Sequence, residues 1–538
     1  MEKTGKILRK RLVWWVLLLI VLLAAGIRWR LLEIPLERDE GEYAYAGQLI
    51  LQGIPPYEQM YSMKLPGIYA AYACILAIFG QTHIAIHLCL LFINAATIVL
   101  IFFVARHVGD SVTGLASAAC FALLSVSQSV QGVFANAEHF VILPAVGGVF
   151  LLLKGTDDNN SWVLFFSGLL LGAGFLMKQH GVAFIAFGGL YLLAKQLQGR
   201  SLNLRHQTVQ CVSFSAGAVI PYGITCIILG LAGVFDKFWF WTIEYAMDYT
   251  SQVTMYQAWK IFTSQVLHIS RAGPLIWMLA GFGLIPLFWD KKLRSNFVFI
   301  YLFSIFSFIA ICPGFYFRNH YFVLLLPAAA LLAGIGVSAM ANMLGKTRTR
   351  IAGYHLPVLL LIICLVVSLF QQRNFLFKMT PMQACRATYG DNPFPESIEI
   401  SRMIRALTRK EDRIAVIGSE PQIYFYSDRR SASGYIYMYA MMENHDFAER
   451  MQQEMIQEIE SNRPEVLVVV NVYMSWLRRT DSSRLVFEWL KKYQTQYYNL
   501  VGLVDITKEE TLYHWIPNVK WPQESSSWVA VMKLKPQS

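Results

Sequence analysis

Apolar positions in this chain run together for roughly 15–25 residues at a time, and short polar or basic stretches separate the runs. A hydrocarbon core of about 30 Å takes roughly 20 such residues to cross. The first run, Leu12 to Ile27, follows Lys3, Lys6, Arg9, Lys10 and Arg11 and is closed by Arg28 and Arg30. No small-residue cleavage site follows it, so it reads as an uncleaved span with its basic side in the cytoplasm. Further candidates lie at 84–105, 111–130, 139–153, 161–177, 180–194, 208–232, 273–289, 296–312, 320–344 and 356–371, eleven in all. Threading them from a cytoplasmic amino terminus leaves Arg106, Lys154, Lys195, Arg200, Arg205, Lys291, Lys292, Arg294, Lys346, Arg348 and Arg350 in cytoplasmic loops. That distribution follows the positive-inside tendency. The run Pro66 to Gly80 is only 15 residues long and would invert every later loop if it crossed. It is expected to be a juxtamembrane or re-entrant helix on the outer face.

Past residue 371 the pattern changes. RIAVIG (Arg413 to Gly418) and EVLVVVN (Glu465 to Asn471) read as buried strands, and Tyr497 to Ile506 and Trp528 to Lys535 as alternating ones. Phe447 to Ser461 and Ser482 to Gln494 have the periodicity of amphipathic helices. The expectation is a mainly α polytopic membrane module over residues 1–371, with a first external loop at 28–83, and an exported α/β domain over 372–538.

Composition agrees and excludes several classes. The chain of 538 residues is 55% hydrophobic and 15% charged, with a mean hydropathy of +0.43, which no ordinary soluble domain shows. The net charge of +11 sits mostly in short loops beside apolar runs, so it reads as membrane orientation and not as a nucleic-acid surface. The eight cysteines have no metal-ligand or redox spacing and read as small apolar residues.

The informative residues are the polar ones on the exported side. The first loop holds Arg38-Asp39-Glu40-Gly41-Glu42-Tyr43, then Pro55-Pro56-Tyr57 and Lys64-Leu65-Pro66. A short helix starting near Asp39 is expected, with Asp39 as its cap; on one reading Asp39 does nothing else and the other charges face water. Glu138 lies at the outer mouth of a span, a position whose cost points to function. A snorkelling interfacial carboxylate is the alternative. Lys178 interrupts two apolar runs on the same face, either as a headgroup-reaching turn or as part of a site. Arg318-Asn319-His320-Tyr321 opens a late span, where Arg suits a planar oxyanion and also an aromatic belt. A carboxylate grouped with several exported cations suggests chemistry on an anionic, lipid-bound phosphate.

The first loop resembles the corresponding loop of polyprenyl-phosphate-sugar glycosyltransferases of the GT-C fold, related to protein O-mannosyltransferases and lipid A aminoarabinose transferases. The resemblance covers roughly residues 30 to 345 and includes Glu138, the stretch Gly172 to Lys178 and Arg318 to Tyr321. It implies inverting transfer of a sugar from a polyisoprenyl phosphate to an acceptor hydroxyl at the outer face of a cell (inner) membrane. Asp39 would be the general base and Glu138 the second acidic residue. Lys64, Arg318, His320 and Lys178 would bind the donor phosphate, while Glu40, Tyr43 and Tyr57 would line the substrate site. The acceptor would be a glycan, lipid or protein, and Asp39 with Glu138 could hold Mg²⁺ or Mn²⁺. Where the aminoarabinose transferases carry a basic residue after the acidic pair, this chain has Gly41-Glu42. A second reading is a flippase for lipid-linked sugars, in which the same charges bind without reacting; no paired halves support it.

Overall fold

The computed structural model describes residues 2–198, 204–288, 290–344, 350–507, 509–519, 521 and 526–536. Arg200, Lys346 and Arg348 of the expected cytoplasmic loops lie outside the described residues. Among the described residues six helices are long and apolar enough to cross a membrane: Arg11–Arg30, His83–Val108, Ala137–Asp157, Gln179–Gln198, Leu204–Leu231 and Leu326–Leu344. Met255–Arg271 and Pro274–Phe288, bent by 106° where they meet, make a seventh if they cross together. The other expected spans coincide with shorter apolar helices, Ser111–Leu124, Ser161–Met177, Phe297–Ile309 and His355–Gln371.

Two expected spans are shorter than their apolar runs. The run 111–130 leaves the helix at Leu124, where Ser125 and Ser127 introduce hydroxyls that bond locally, and a 3₁₀ turn follows at Gln128–Val130. The run 320–344 starts as a 3₁₀ turn, Asn319–Leu324, before the helix Leu326–Leu344. Both departures place irregular backbone beside the cavity described below.

Helix starts are marked by side chains that accept otherwise orphaned amides. Thr82 Oγ1 accepts from Ala85 N at 3.1 Å, and Asp110 Oδ1 accepts from Thr113 N at 2.8 Å. Close crossings use small residues, as expected where lipid offers no hydrophobic drive. A Cβ on Gly168 would lie 2.1 Å from Phe214 O, and one on Gly172 would lie 2.3 Å from Ala218 O, so Ser161–Met177 and Leu204–Leu231 meet backbone to backbone.

The C-terminal sheet has six strands: β1 (Arg413–Ile417), β2 (Arg430–Ser431), β3 (Val466–Asn471), β4 (Tyr498–Ile506), β5 (Thr511–Trp515) and β6 (Trp528–Leu534). Their order is β2-β1-β3-β6-β4-β5. β1 pairs in parallel with β2 and β3, and the other pairings are antiparallel. Helices Ala448–Asn462 and Leu485–Tyr497 correspond to the two amphipathic segments. Continuous burial of Val466 to Val470 explains why β3 lacks alternation. Thr511–Trp515 carries no buried position, so its pattern gave no apolar face to read.

One hydrophobic core joins this sheet to the first-loop helices Arg38–Leu51 and Pro66–Phe79; Ile414, Val468 and Tyr424 share it with Tyr45, Leu49 and Tyr72. A Cβ on Gly41 would lie 2.5 Å from Gln422 N, so the helix carrying Asp39 rests directly on the Gln422–Ser427 helix. Around that contact Leu36 N donates to Tyr426 Oη at 2.9 Å and Ser431 N donates to Tyr45 Oη at 2.9 Å.

Candidate active site

Helix Arg38–Leu51 is capped two residues earlier than the sequence suggested. Glu37, not Asp39, is its N-cap: Glu37 Oε1 accepts from Glu40 N, and Glu37 N donates to Glu40 Oε2, both at 3.0 Å. The capping box occupies both glutamates, which corrects the expectation that Asp39 closes the helix. Asp39 is thereby released to the cavity. Its Oδ1 accepts from Lys64 Nζ at 2.7 Å and from Tyr437 Oη at 2.6 Å. Among the described residues Oδ2 has no protein hydrogen bond, and the side chain is 21% exposed. Lys64 Nζ also donates to Glu42 Oε2 at 2.7 Å, and Tyr69 Oη donates to Glu42 Oε1 at 2.7 Å.

Glu138 stands at the start of helix Ala137–Asp157. Its Oε1 accepts from Lys178 Nζ at 2.5 Å and lies 4.0 Å from His320 Nε2, while its buried Oε2 has no hydrogen-bond partner among the described residues. Lys178 Nζ sits 4.2 Å from the centre of the Tyr321 ring. His320 Nδ1 is 3.0 Å from Gln131 Oε1; with that oxygen accepting, Nδ1 carries the proton and Nε2 the lone pair. Arg318 stands against Tyr249, and its guanidinium lies 5.5 Å from the centre of the Tyr316 ring. Among the described residues it forms no ion pair with a carboxylate, unlike Arg38, whose Nη2 meets Glu420 Oε1 at 2.7 Å.

These groups surround one cavity of about 810 Å³, lined by Asp39, Lys64, Lys178, Arg318 and His320, with Glu138 behind Lys178. The structure therefore brings together the six residues expected to react or to hold phosphate. Glu40, Tyr43 and Tyr57, expected to line the substrate site, do not line the cavity. Glu40 is fully buried against His87 Nε2 at 2.9 Å and Ala135 N. The Tyr57 hydroxyl donates to Lys64 O at 2.7 Å, and the Tyr43 ring lies under Lys64 Nζ at 4.7 Å. They support the site from behind. The reading in which the first-loop charges face water also fails, because Arg38, Glu40 and Glu42 are buried.

Sequence reasoning missed the aromatic walls. Trp241, Tyr245 and Tyr249 come from the region between Phe235 and Thr250, which the chain pattern left as an exported loop. Tyr435, Tyr437 and Tyr439 come from the C-terminal unit. The alternation GYIYMY at 434–439 was the available signal, since side chains two apart share a side of extended backbone.

Electrostatics distinguish the groups. Burial alone pushes the Asp39 carboxyl up, but Lys64, His320 and the bonds from Lys64 and Tyr437 together hold it well below the usual carboxylate range. Burial opposes the charge on Lys64, yet Asp39 and Glu42 keep its pKa above that of a free lysine. Glu37 is pushed well up, first by burial and then by Asp39 and Glu40. Burial likewise pushes His320 down to about 4, against the pull of Glu138, so its ring is neutral at pH 7. Arg318 stays charged. A Mg²⁺ or Mn²⁺ ion does not fit this donor set: the Lys64 and Lys178 ammonium groups stand against Asp39 and Glu138 where the cation would sit. Among the described residues no three His, Cys, Asp or Glu side chains are grouped to hold one.

Residues 64–224 match the family model described as dolichyl-phosphate-mannose-protein mannosyltransferase. No curated protein sequence matches the chain. ArnT from Cupriavidus metallidurans bound to undecaprenyl phosphate superposes with a TM-score of 0.59 at 15% identity, covering 96% of this chain and 98% of that one. Apo ArnT gives 0.56 at 14% identity over 99% and 98%. The Archaeoglobus fulgidus oligosaccharyltransferase tethered to an acceptor peptide gives 0.51 at 11% identity over 96% of this chain and 75% of that one. With its apolar helices, its C-terminal sheet and these matches, the chain is a multi-pass membrane protein with the GT-C fold of these structures.

Proposed function

We propose that this protein moves a sugar, with inversion at its anomeric carbon, from a polyisoprenyl-phosphate donor to an acceptor hydroxyl at the outer face of a cell (inner) membrane. The observation that carries the reading is that Asp39, paired with Lys64 and with Oδ2 free of hydrogen bonds to the described residues, shares one cavity with an Arg318 that has no carboxylate partner among them. A hydroxyl is a weak nucleophile, and a positioned carboxylate contributes about 10²–10⁴-fold to the rate by taking its proton. Asp39 Oδ2 accepts that proton as the hydroxyl oxygen bonds to the anomeric carbon. The bond from that carbon to the phosphate oxygen breaks, and its electron pair stays on the phosphate. Arg318 is the cation ready for the charge that develops there, and a bidentate guanidinium suits it. Neutral His320, its Nδ1–H given to Gln131 Oε1, lines the cavity beside it.

The structure qualifies the expected roles of the lysines. Lys64 is held by two carboxylates and Lys178 by one, so neither is a free phosphate anchor in this state. Each reaches the phosphate only by sharing its protons with the carboxylate it holds, so Arg318 leads donor binding and the lysines assist. The partners are then a polyisoprenyl-phosphate sugar, the surrounding lipids and a glycan, lipid or protein acceptor. We assign the reaction to residues 1–371 and a covering role to the unit from residue 372, on the periplasmic or extracytoplasmic side.

The test is purified protein in liposomes, supplied with a panel of radiolabelled polyprenyl-phosphate sugars and extracted membrane acceptors. The reading expects one donor to be consumed and the glycosidic product to have the opposite anomeric configuration. A product retaining the donor's configuration would contradict a single displacement with Asp39 as base. Donor crossing the bilayer without transfer would favour a flippase.

A further inference from the structure

The C-terminal unit does more than cover the cavity. In GYIYMY at 434–439 the three tyrosines fall two residues apart, and all three line the cavity. Their hydroxyls have different partners. Tyr435 Oη donates to Glu454 Oε2 at 2.6 Å and Tyr439 Oη donates to Met474 O at 2.7 Å, both within the C-terminal unit. Tyr437 Oη instead crosses to Asp39 Oδ1 at 2.6 Å, from 398 positions away in sequence.

We propose that Tyr437 is a positioning residue for the sugar-transfer reaction: its hydroxyl, with Lys64, pins Asp39 by Oδ1 and so aims Oδ2 at the acceptor. This rests on the proposed role of Asp39 as base. A carboxylate held by one oxygen through one donor still turns about its χ2, whereas two donors, Lys64 Nζ and Tyr437 Oη, converging on that same oxygen restrict the turn. The loop holding Tyr437 is itself anchored beside the site. Tyr61 N donates to Gly434 O at 2.7 Å, Met438 N donates to Ser419 Oγ at 2.9 Å, and Arg38 reaches Ser419 O. Burial and the nearby Asp39 charge raise the Tyr437 phenol far above neutral pH, so it remains a donor throughout the working range.

The experiment compares wild type, Tyr437→Phe and Tyr437→Leu in full-length protein in liposomes, reading kcat, donor KM and thermal stability, alongside Asp39→Asn. Tyr437→Phe removes only the hydroxyl and keeps the ring over Lys64. The expected result is a fall of about tenfold in kcat, since small misplacements of a reacting group are costly, with donor KM and stability unchanged. Tyr437→Leu should then lose no more kcat than Tyr437→Phe. Wild-type kcat in Tyr437→Phe, or a loss confined to Tyr437→Leu, would make the residue wall packing and overturn the proposal. A Tyr437→Phe loss accompanied by equal losses of donor binding or stability would overturn it too. Full transfer by Asp39→Asn would remove the base assignment itself, whereas loss in Asp39→Asn with none in Tyr437→Phe removes only the role of Tyr437.

Discussion

At the residue scale the site turns on which charges are already satisfied. Lys64 and Lys178 each hold carboxylates at 2.5–2.7 Å, whereas Arg318 rests on tyrosines. Arg318→Gln is therefore expected to raise donor KM about 10- to 100-fold, because hydrogen bonds to a charged group are worth about 1.5–3 kcal/mol. Arg318→Lys should recover only part, since a lysine lacks the planar fork; steady-state kinetics over a donor series checks both. His320 gives a pH prediction. Its pKa is near 4 in the folded protein, below the ~6.5 of an unfolded histidine, so between those values the unfolded chain binds more protons. The contribution of neutral His320 is present above about pH 6.5 and is lost as pH falls towards 4. Thermal unfolding in detergent at pH 7 and pH 4.5 should show that loss, and His320→Gln should reduce it. The residue types that gather at the cavity were legible in the sequence, because charges at span borders are expensive unless used. The capping role of Glu37 was harder to read, as Glu37, Asp39 and Glu40 all stand where a cap or first-turn acid belongs.

At the element scale the decisive contact is between the Arg38–Leu51 helix and the Gln422–Ser427 helix. Gly41 has no room for a side chain there, with Gln422 backbone 2.5 Å from where its Cβ would lie. Sequence comparison of motifs marked Gly41 only as a missing basic residue; the packing gives the reason for its absence. Gly41→Ala should force the two helices apart and destabilise the protein by about 1–3 kcal/mol, as overpacking does. Melting in detergent measures this, and transfer should fall with it because Asp39 lies on the displaced helix. Periodicity exposed β1, β3, β4, β6 and both amphipathic helices of the C-terminal unit, but not β2 or β5. The helix Met255–Arg271, with Tyr256 and Trp259 exposed, was not among the elements read from it. The partners of Asp39 were beyond its reach: Lys64 is local, but Tyr437 arrives through tertiary packing, which no short-range pattern encodes.

At the scale of the whole molecule, membrane helices, first-loop helices and sheet close on a single cavity, and the account requires that cavity to face outward. Cysteine labelling tests the sidedness in a background with the exposed Cys74 replaced by Ser. A membrane-impermeant maleimide should reach Tyr473→Cys from the outer side, since Tyr473 is 70% exposed. It should reach Asp158→Cys, in the loop after helix Ala137–Asp157, only in inverted vesicles. The most direct measurement of the central claim is transfer of label from a polyprenyl-phosphate sugar by Asp39→Asn, with donor binding measured on the same preparation. The account predicts that binding persists while transfer falls by about 10²–10⁴-fold. Transfer at the wild-type rate by Asp39→Asn would contradict it.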